Sequence, residues 1–220
     1  MDVNEAVQRR KSIRAFLDRP VDDGTIAELL RGAARAPSGG NVQPWRVYVI
    51  GSATMAAFLA HMEAAGRERP AYEVYPPSLW EPYRTNRYQL GEAMYATMGI
   101  GRDDTPARLA RLAENFRFFG APAAVFCFVD RGMGPPQWSD LGMFLQTFML
   151  LATEAGLDTC AQEAGAARPG AVAEFVGAPE AEMLFCGIAL GYGDPDAPVN
   201  SLVSDRMPLE DWARFVEAGA

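Results

Sequence analysis

Apolar positions at helical spacing open the chain. Val3, Ala6 and Val7 predict a short helix that runs into a basic segment. A second helix is predicted from a cap at Asp22 or Asp23 through Ile26, Leu29, Leu30 and Ala33, stopped by Pro37. The run Arg46-Val47-Tyr48-Val49-Ile50 reads as a strand ended by Gly51. Ser52 then caps a helix whose apolar stripe is Met55, Phe58, Leu59 and Met62. Thr105 and Pro106 open another helix through Leu109, Leu112 and Phe116, with the proline where its missing N–H costs nothing.

The second half is more apolar. Ala123–Val129 has no polar alternate, as in a central strand buried on both faces. Ser139 begins a helix that is apolar nearly all round, through Leu141, Phe144, Leu145, Phe148, Leu151 and Ala152, with Gly156 as its C′ residue. That helix is the expected centre of the fold. Strands at 159–163 and 183–190, with a helix near 168–176 between them, complete an α+β pattern with more helix than sheet. The chain reads as one domain, residues 1–220.

Two stretches break the pattern. Residues 66–90 combine Pro70, Pro76, Pro77 and Pro82 with Tyr72, Tyr75, Trp80, Tyr83 and Tyr88. They are either an irregular excursion packed on its own rings or a lid over a planar ligand. From Asp194 onward the periodicity fades, yet Leu202, Met207, Leu209, Trp212 and Phe215 require burial. An extended apolar tail of this kind packs on a partner subunit.

Charge narrows the chemistry. The formal net charge of −8 argues against a general nucleic-acid or anionic-membrane binder. Against that background Arg9, Arg10, Lys11 and Arg14 form a local cationic exception, and Lys11 is the only lysine in the chain. Arginine forks suit phosphate or carboxylate, although a high-arginine composition that merely solvates a surface is the plainer alternative. The 3 cysteines, Cys127, Cys160 and Cys186, sit apart in apolar surroundings and read as buried thiols of a reducing, cytoplasmic compartment. His61 is the single histidine, beside Leu59 and Met62 on a predicted helix, and reads as a partly buried surface residue. Histidine triads, zinc sites of clustered Cys and His, and phosphate-binding glycine loops are all disfavoured. An enzyme built this way leaves its chemistry to a cofactor.

The segment Arg9-Arg10-Lys11-Ser12-Ile13-Arg14-Ala15-Phe16 is followed by Ala36-Pro37-Ser38-Gly39-Gly40-Asn41-Val42-Gln43-Pro44-Trp45. In order and separation the two blocks resemble the nitroreductase family of FMN-dependent oxidoreductases. That family opens on Arg-Arg-Ser-x-Arg-x-Phe or close to it, and carries Pro-Ser-x-x-Asn-x-Gln-Pro-Trp just before its first strand. Leu151-Ala152-x-x-Ala155-Gly156-Leu157 and the late Gly191-Tyr192 before Asp205-Arg206 match as well. The resemblance implies a small central mixed sheet flanked by helices, and a homodimer in which an extended C-terminal tail embraces the partner. It implies FMN at the subunit interface, NADH or NADPH as donor, and a small-molecule acceptor such as a nitroaromatic or quinone reduced in a ping-pong cycle.

Site residues follow by position. Arg10, Lys11 and Ser12 resemble the phosphate and ribityl contacts, Arg14 the contact to the pyrimidine edge, and Arg206 a second phosphate arginine. Pro37, Ser38, Gly39 and Asn41 resemble the contacts made to the neighbour's cofactor. Gln162, Glu163 and Ala164 fall where the family places backbone N–H donors near flavin N5 and O4. Arg84 and Arg87 resemble a polar and basic pair beside the ring, and Trp80 and Tyr83 are expected to flank the acceptor. There are two departures. Ser204 stands where some relatives have lysine, and residues 66–105 are longer than in compact members. Other flavin enzymes of this fold, acting by enone reduction or dehydrogenation, and a flavin-binding protein without turnover are the alternatives. Dehalogenation is disfavoured, since Glu92-Ala93-Met94-Tyr95 lacks the lysine of that group's lid motif.

Physical chemistry agrees with these assignments. A phosphate of nearly two negative charges, held by an acidic chain, requires a local arginine fork. A guanidinium at the N1 and C2-oxygen edge favours the reduced flavin, and a backbone donor at N5 orients the ring without adding a titrating acid. Hydride transfer then needs only stacking at contact distance.

Overall fold

The computed structural model describes residues 1–216. Helix α1 (Val3–Arg9) starts where the Asp2 carboxylate accepts from the Glu5 N–H. Helix α2 (Asp23–Ala33) is capped in the same way by Asp22 on Thr25. Strand β1 (Arg46–Ile50) leads through Gly51 into α3 (Ser52–Ala64). Then come α4 (Tyr83–Thr97), α5 (Thr105–Ala113), β2 (Ala123–Asp130), α6 (Pro135–Glu154) and β3 (Asp158–Gln162). Helix α7 (Pro169–Val176), β4 (Glu182–Gly191) and a short α8 (Leu209–Trp212) complete the order.

The sheet has 4 strands in the order β1-β2-β4-β3. Every neighbouring pair is antiparallel, which corrects the expected mixed sheet. Among the described residues the parallel pairing is confined to an isolated bridge, Ser12 to Thr159. Strand β2 is the central strand the sequence requires. Val125, Cys127 and Val129 face a core with α2 and α6, while Phe126 and Phe128 face a second core with Phe58 and Met62 of α3. Leu141 and Phe148 of α6 are fully buried, and all three cysteines are buried and free.

Several boundaries differ from expectation, each for a local reason. Helix α6 begins at Pro135 rather than Ser139, because Pro135 and Pro136 occupy its first turn and the Gln137 side chain accepts from the Gly134 N–H. Helix α5 stops at Ala113 instead of running to Phe116. A 3-10 segment, Glu114–Gly120, follows, with Phe118 and Phe119 at φ of 52° and 56°. Residues 66–90 are irregular only up to Pro82; after that last proline, α4 forms with Glu81 accepting from the Thr85 N–H. Helix α4 buries no residue and is braced by α5 instead. Arg108 grips Glu92 with contacts of 2.7 and 3.1 Å and lies over the Tyr95 ring. His61 sits as expected, half-buried, with Nε2 3.0 Å from the Ala171 carbonyl.

The basic segment is positioned by long-range backbone pairing. The Ile13 N–H donates to the Thr159 carbonyl at 3.0 Å and the Leu17 N–H to the Tyr192 carbonyl at 2.8 Å. Ser12 and Ile13 therefore cover the free edge of β3, and Phe16 and Leu17 run along the segment that follows β4. Gly191 makes this approach feasible, since a Cβ there would stand 2.5 Å from Pro122 Cδ and 3.1 Å from the Phe16 ring. The later part of the tail stays uncovered within the chain, with Trp212 66% and Phe215 89% exposed. Residues 217–220, the end of the predicted tail, lie outside the described residues.

Candidate active site

Arg10, Lys11, Ser12, Arg14 and Arg206 line one cavity of about 530 Å³, closed on other sides by Val7, Leu90 and Gln146. None of these cationic groups has a carboxylate within 4 Å among the described residues. Burial holds the Arg10 guanidinium below its ordinary pKa, and the charge of Arg206 lowers it further. A half-buried guanidinium with a second, exposed one beside it, and no carboxylate within 4 Å among the described residues, suits an anion. The arrangement fits a phosphate. Arg206 is curled on its own backbone, with Nη1 donating to the Ser204 and Asp205 carbonyls and at 2.7 Å to Ser204 Oγ. Ser204 thus holds the late arginine in place.

Further along the segment, Arg14 Nη1 donates to the Ser12 carbonyl at 3.2 Å. The Cys160 thiol, pushed up by burial, has Arg14 and Arg111 close enough to lower it and Glu163 close enough to raise it. Arg14, Arg111 and Glu163 are therefore all near Cys160, in the middle of β3. Gln162 is buried and its amide donates to the Asn115 carbonyl at 2.7 Å. The 3-10 turn Ala164–Ala167 that follows has no side-chain cap, which leaves its first N–H groups open to an outside acceptor. Gln162, Glu163 and Ala164 do not line the cavity.

The second predicted block lies elsewhere. Pro37, Ser38, Gly39 and Asn41 form an exposed or half-exposed turn away from the cavity. The Gly39 N–H donates to both carboxylate oxygens of buried Asp140 at 3.3 Å, and the Gln43 N–H donates to Ser38 Oγ at 3.0 Å. Trp45 stacks on Phe144 at 5.0 Å, fixing the turn to α6. The lid residues are also separate from the cavity. Arg84 pairs with Glu81 at 2.6 Å, Arg87 lies 4.5 Å from the Tyr75 ring, and Trp80 packs edge-on against Tyr83 at 5.7 Å. Trp80 and Tyr83 are both more than half exposed, at 58% and 53%, so these rings do not form a private core.

The model of the nitroreductase family matches residues 7–192, a span that holds both motif blocks. The chain belongs to the nitroreductase family. It is 35% identical to the nitrobenzene nitroreductase of Ectopseudomonas oleovorans, over 97% of this chain and 96% of the relative. It is also 35% identical to a 4-nitrobenzoate reductase of Pseudomonas putida, over 95% and 92%. Among solved structures, the FMN and NADPH-dependent nitroreductase NfnB from Sphigopyxis sp. strain HMH superposes with a TM-score of 0.92 at 42% identity, over 99% of this chain and all of the other. NfnB of Mycobacterium smegmatis in complex with NADPH superposes at 0.90 with 27% identity, over 98% and 100%.

Within this nitroreductase fold, sequence reasoning missed Asn200. It is 6% exposed and ties the basic segment to the tail. Its Oδ1 accepts from the Arg14 N–H at 2.8 Å, and its Nδ2 donates to the Ala15 and Asp194 carbonyls at 2.8 and 2.9 Å. The Lys11 ammonium donates to its backbone carbonyl. No motif announces this residue, because its partners in the basic segment, Arg14 and Ala15, lie more than 180 positions away. Asn200→Asp replaces a double donor with an oxygen facing two carbonyls. The expected loss is about 1–3 kcal/mol, the cost of buried groups left unsatisfied, read as a lowered thermal midpoint together with weaker cofactor retention.

Proposed function

We propose that this nitroreductase-family protein is an FMN-dependent NAD(P)H oxidoreductase that reduces nitroaromatic or quinone-like acceptors. One observation carries the reading, the gathering of Arg10, Lys11, Ser12, Arg14 and Arg206 around a single cavity, the cations having no carboxylate within 4 Å among the described residues. When bound, FMN supplies hydride acceptance from the nicotinamide and donation to the acceptor. Arg10 and Arg206 hold its phosphate, Ser12 faces the ribityl chain, and Arg14 meets the pyrimidine edge. The uncapped turn beginning at Ala164, with Gln162 and Glu163 before it, turns N–H donors toward N5. No side chain here has to act as a general acid, since protons come from water.

The functional unit is a homodimer of a domain spanning residues 1–220. Pro37, Ser38, Gly39 and Asn41 serve the partner's flavin, and the exposed apolar tail embraces that partner. Trp80 and Tyr83 flank the acceptor. A cytoplasmic location accords with three buried free thiols.

The test is spectroscopic. Protein purified with FMN should bleach on anaerobic addition of NADH or NADPH and recover its absorbance with 4-nitrobenzoate or a quinone. Bleaching without recovery by either acceptor moves the assignment to another substrate. A stable flavin that neither nicotinamide bleaches makes the protein a flavin carrier. Trp80→Ala run in the same assay should change the ratio of kcat/KM between a small and a large acceptor severalfold while leaving FMN content unchanged.

A further inference from the structure

The positions that resemble the family's basic pair beside the ring are Arg84 and Arg87, and here both are engaged elsewhere. Arg84 contacts Glu81 at 2.6 Å, and Arg87 lies over the Tyr75 ring. Another arginine approaches Arg14 instead. Arg111 reaches from α5 across 97 positions of sequence to donate from Nη2 to the Arg14 carbonyl at 2.7 Å. Its guanidinium lies 5.2 Å from the Phe119 ring, and its Nε is shut away from solvent with no acceptor.

We infer that Arg111 is a positioning residue for Arg14, and that it adds a second positive charge behind the flavin's pyrimidine edge. The inference rests on the FMN reading above. Arg14 lines the cavity and Arg111 does not, so Arg111 acts through Arg14 and through its field. Neither guanidinium has a carboxylate within 4 Å among the described residues. Burial lowers the pKa of Arg111 and the charge of Arg14 lowers it again, with Glu114 partly opposing them. A desolvated guanidinium beside a like charge is unfavourable until something negative arrives. The group that becomes electron-rich when the flavin is reduced lies, on this reading, at Arg14. Two preorganised charges there favour the reduced form more than the oxidised one.

The experiment uses FMN-loaded protein and three variants, Arg111→Met, Arg111→Lys and Arg14→Met. The readouts are the two-electron midpoint potential by dye-coupled titration, FMN and riboflavin affinity by fluorescence quenching, and the thermal midpoint. Arg111→Met should weaken reduced flavin relative to oxidised about tenfold, which lowers the potential by about 30 mV. Arg111→Lys should recover most of that shift, and FMN and riboflavin should respond alike because the phosphate is remote. Should Arg111→Met fail to fold, Arg111→Gln keeps a donor for the Arg14 carbonyl and reads the charge alone. A potential unchanged in Arg111→Met or Arg111→Gln, with melting lowered equally in the lysine variant, makes Arg111 a structural tie and overturns the inference. A wild-type protein that binds no FMN overturns the functional reading itself. A shift in Arg14→Met with none in the Arg111 variants leaves that reading standing and removes only Arg111.

Discussion

Arg10→Ala is expected to weaken FMN by about 1.5–3 kcal/mol, the range for hydrogen bonds to charged groups. That is roughly a tenfold to hundredfold rise in dissociation constant. The expectation follows from the state of the cavity before cofactor arrives. Arg10 is half-buried and held below its ordinary pKa by desolvation and then by the charge of exposed Arg206, so its charged form is disfavoured where it stands and a phosphate beside it offsets that cost. Removing Arg10 forfeits the phosphate contact and relieves that cost, so FMN-free protein should melt no lower than wild type. Riboflavin, lacking the phosphate, should bind both proteins with nearly equal affinity. Fluorescence-quenching titrations with the two flavins decide the matter, because an equal loss for both would place Arg10 away from the phosphate.

The parts of this molecule that were legible in its sequence are those set by neighbours in the chain. Asp22 ahead of an apolar stripe specifies α2, and the unbroken apolar run Ala123–Val129 specifies the central strand. Proline density concealed α4, because the helix begins directly after Pro82 and presents no buried stripe that periodicity could detect. Its stability comes from the Glu81 cap and the Arg108–Glu92 clamp, which composition does not reveal. The cationic segment was legible as a charge cluster on an acidic chain. Its mooring by Asn200 and its contact with Arg111 were not, because both depend on which distant elements the sheet brings alongside residues 10–17. Phe118 and Phe119 show the same limit, since the positive φ they adopt is disfavoured for large side chains and is sustained by burial in the second core.

Mixing two variants, each assayed at an FMN concentration too low to fill its own sites, should restore activity if the site is shared between subunits. The turn with Ser38 and Asn41 is anchored to buried Asp140 and remains outside the cavity that holds Arg10 and Arg206. One chain therefore keeps its cationic cavity and its motif turn apart, as required if the turn serves a neighbour. Asn41 sits at φ 57°, a conformation that asparagine and aspartate tolerate better than other branched or bulky residues. Asn41→Asp thus preserves the turn while placing a negative charge where, on the proposed reading, the partner's flavin lies. In a two-fold dimer, Arg10→Ala paired with Asn41→Asp yields one site carrying both lesions and one carrying neither. After full exchange of equal amounts, half the dimers are hybrids, so activity should return to about a quarter of the wild-type level. Native mass spectrometry measures the hybrid fraction and the flavin assay measures turnover. Hybrids present in that proportion but as inactive as their parents would mean that each site is completed within a single chain.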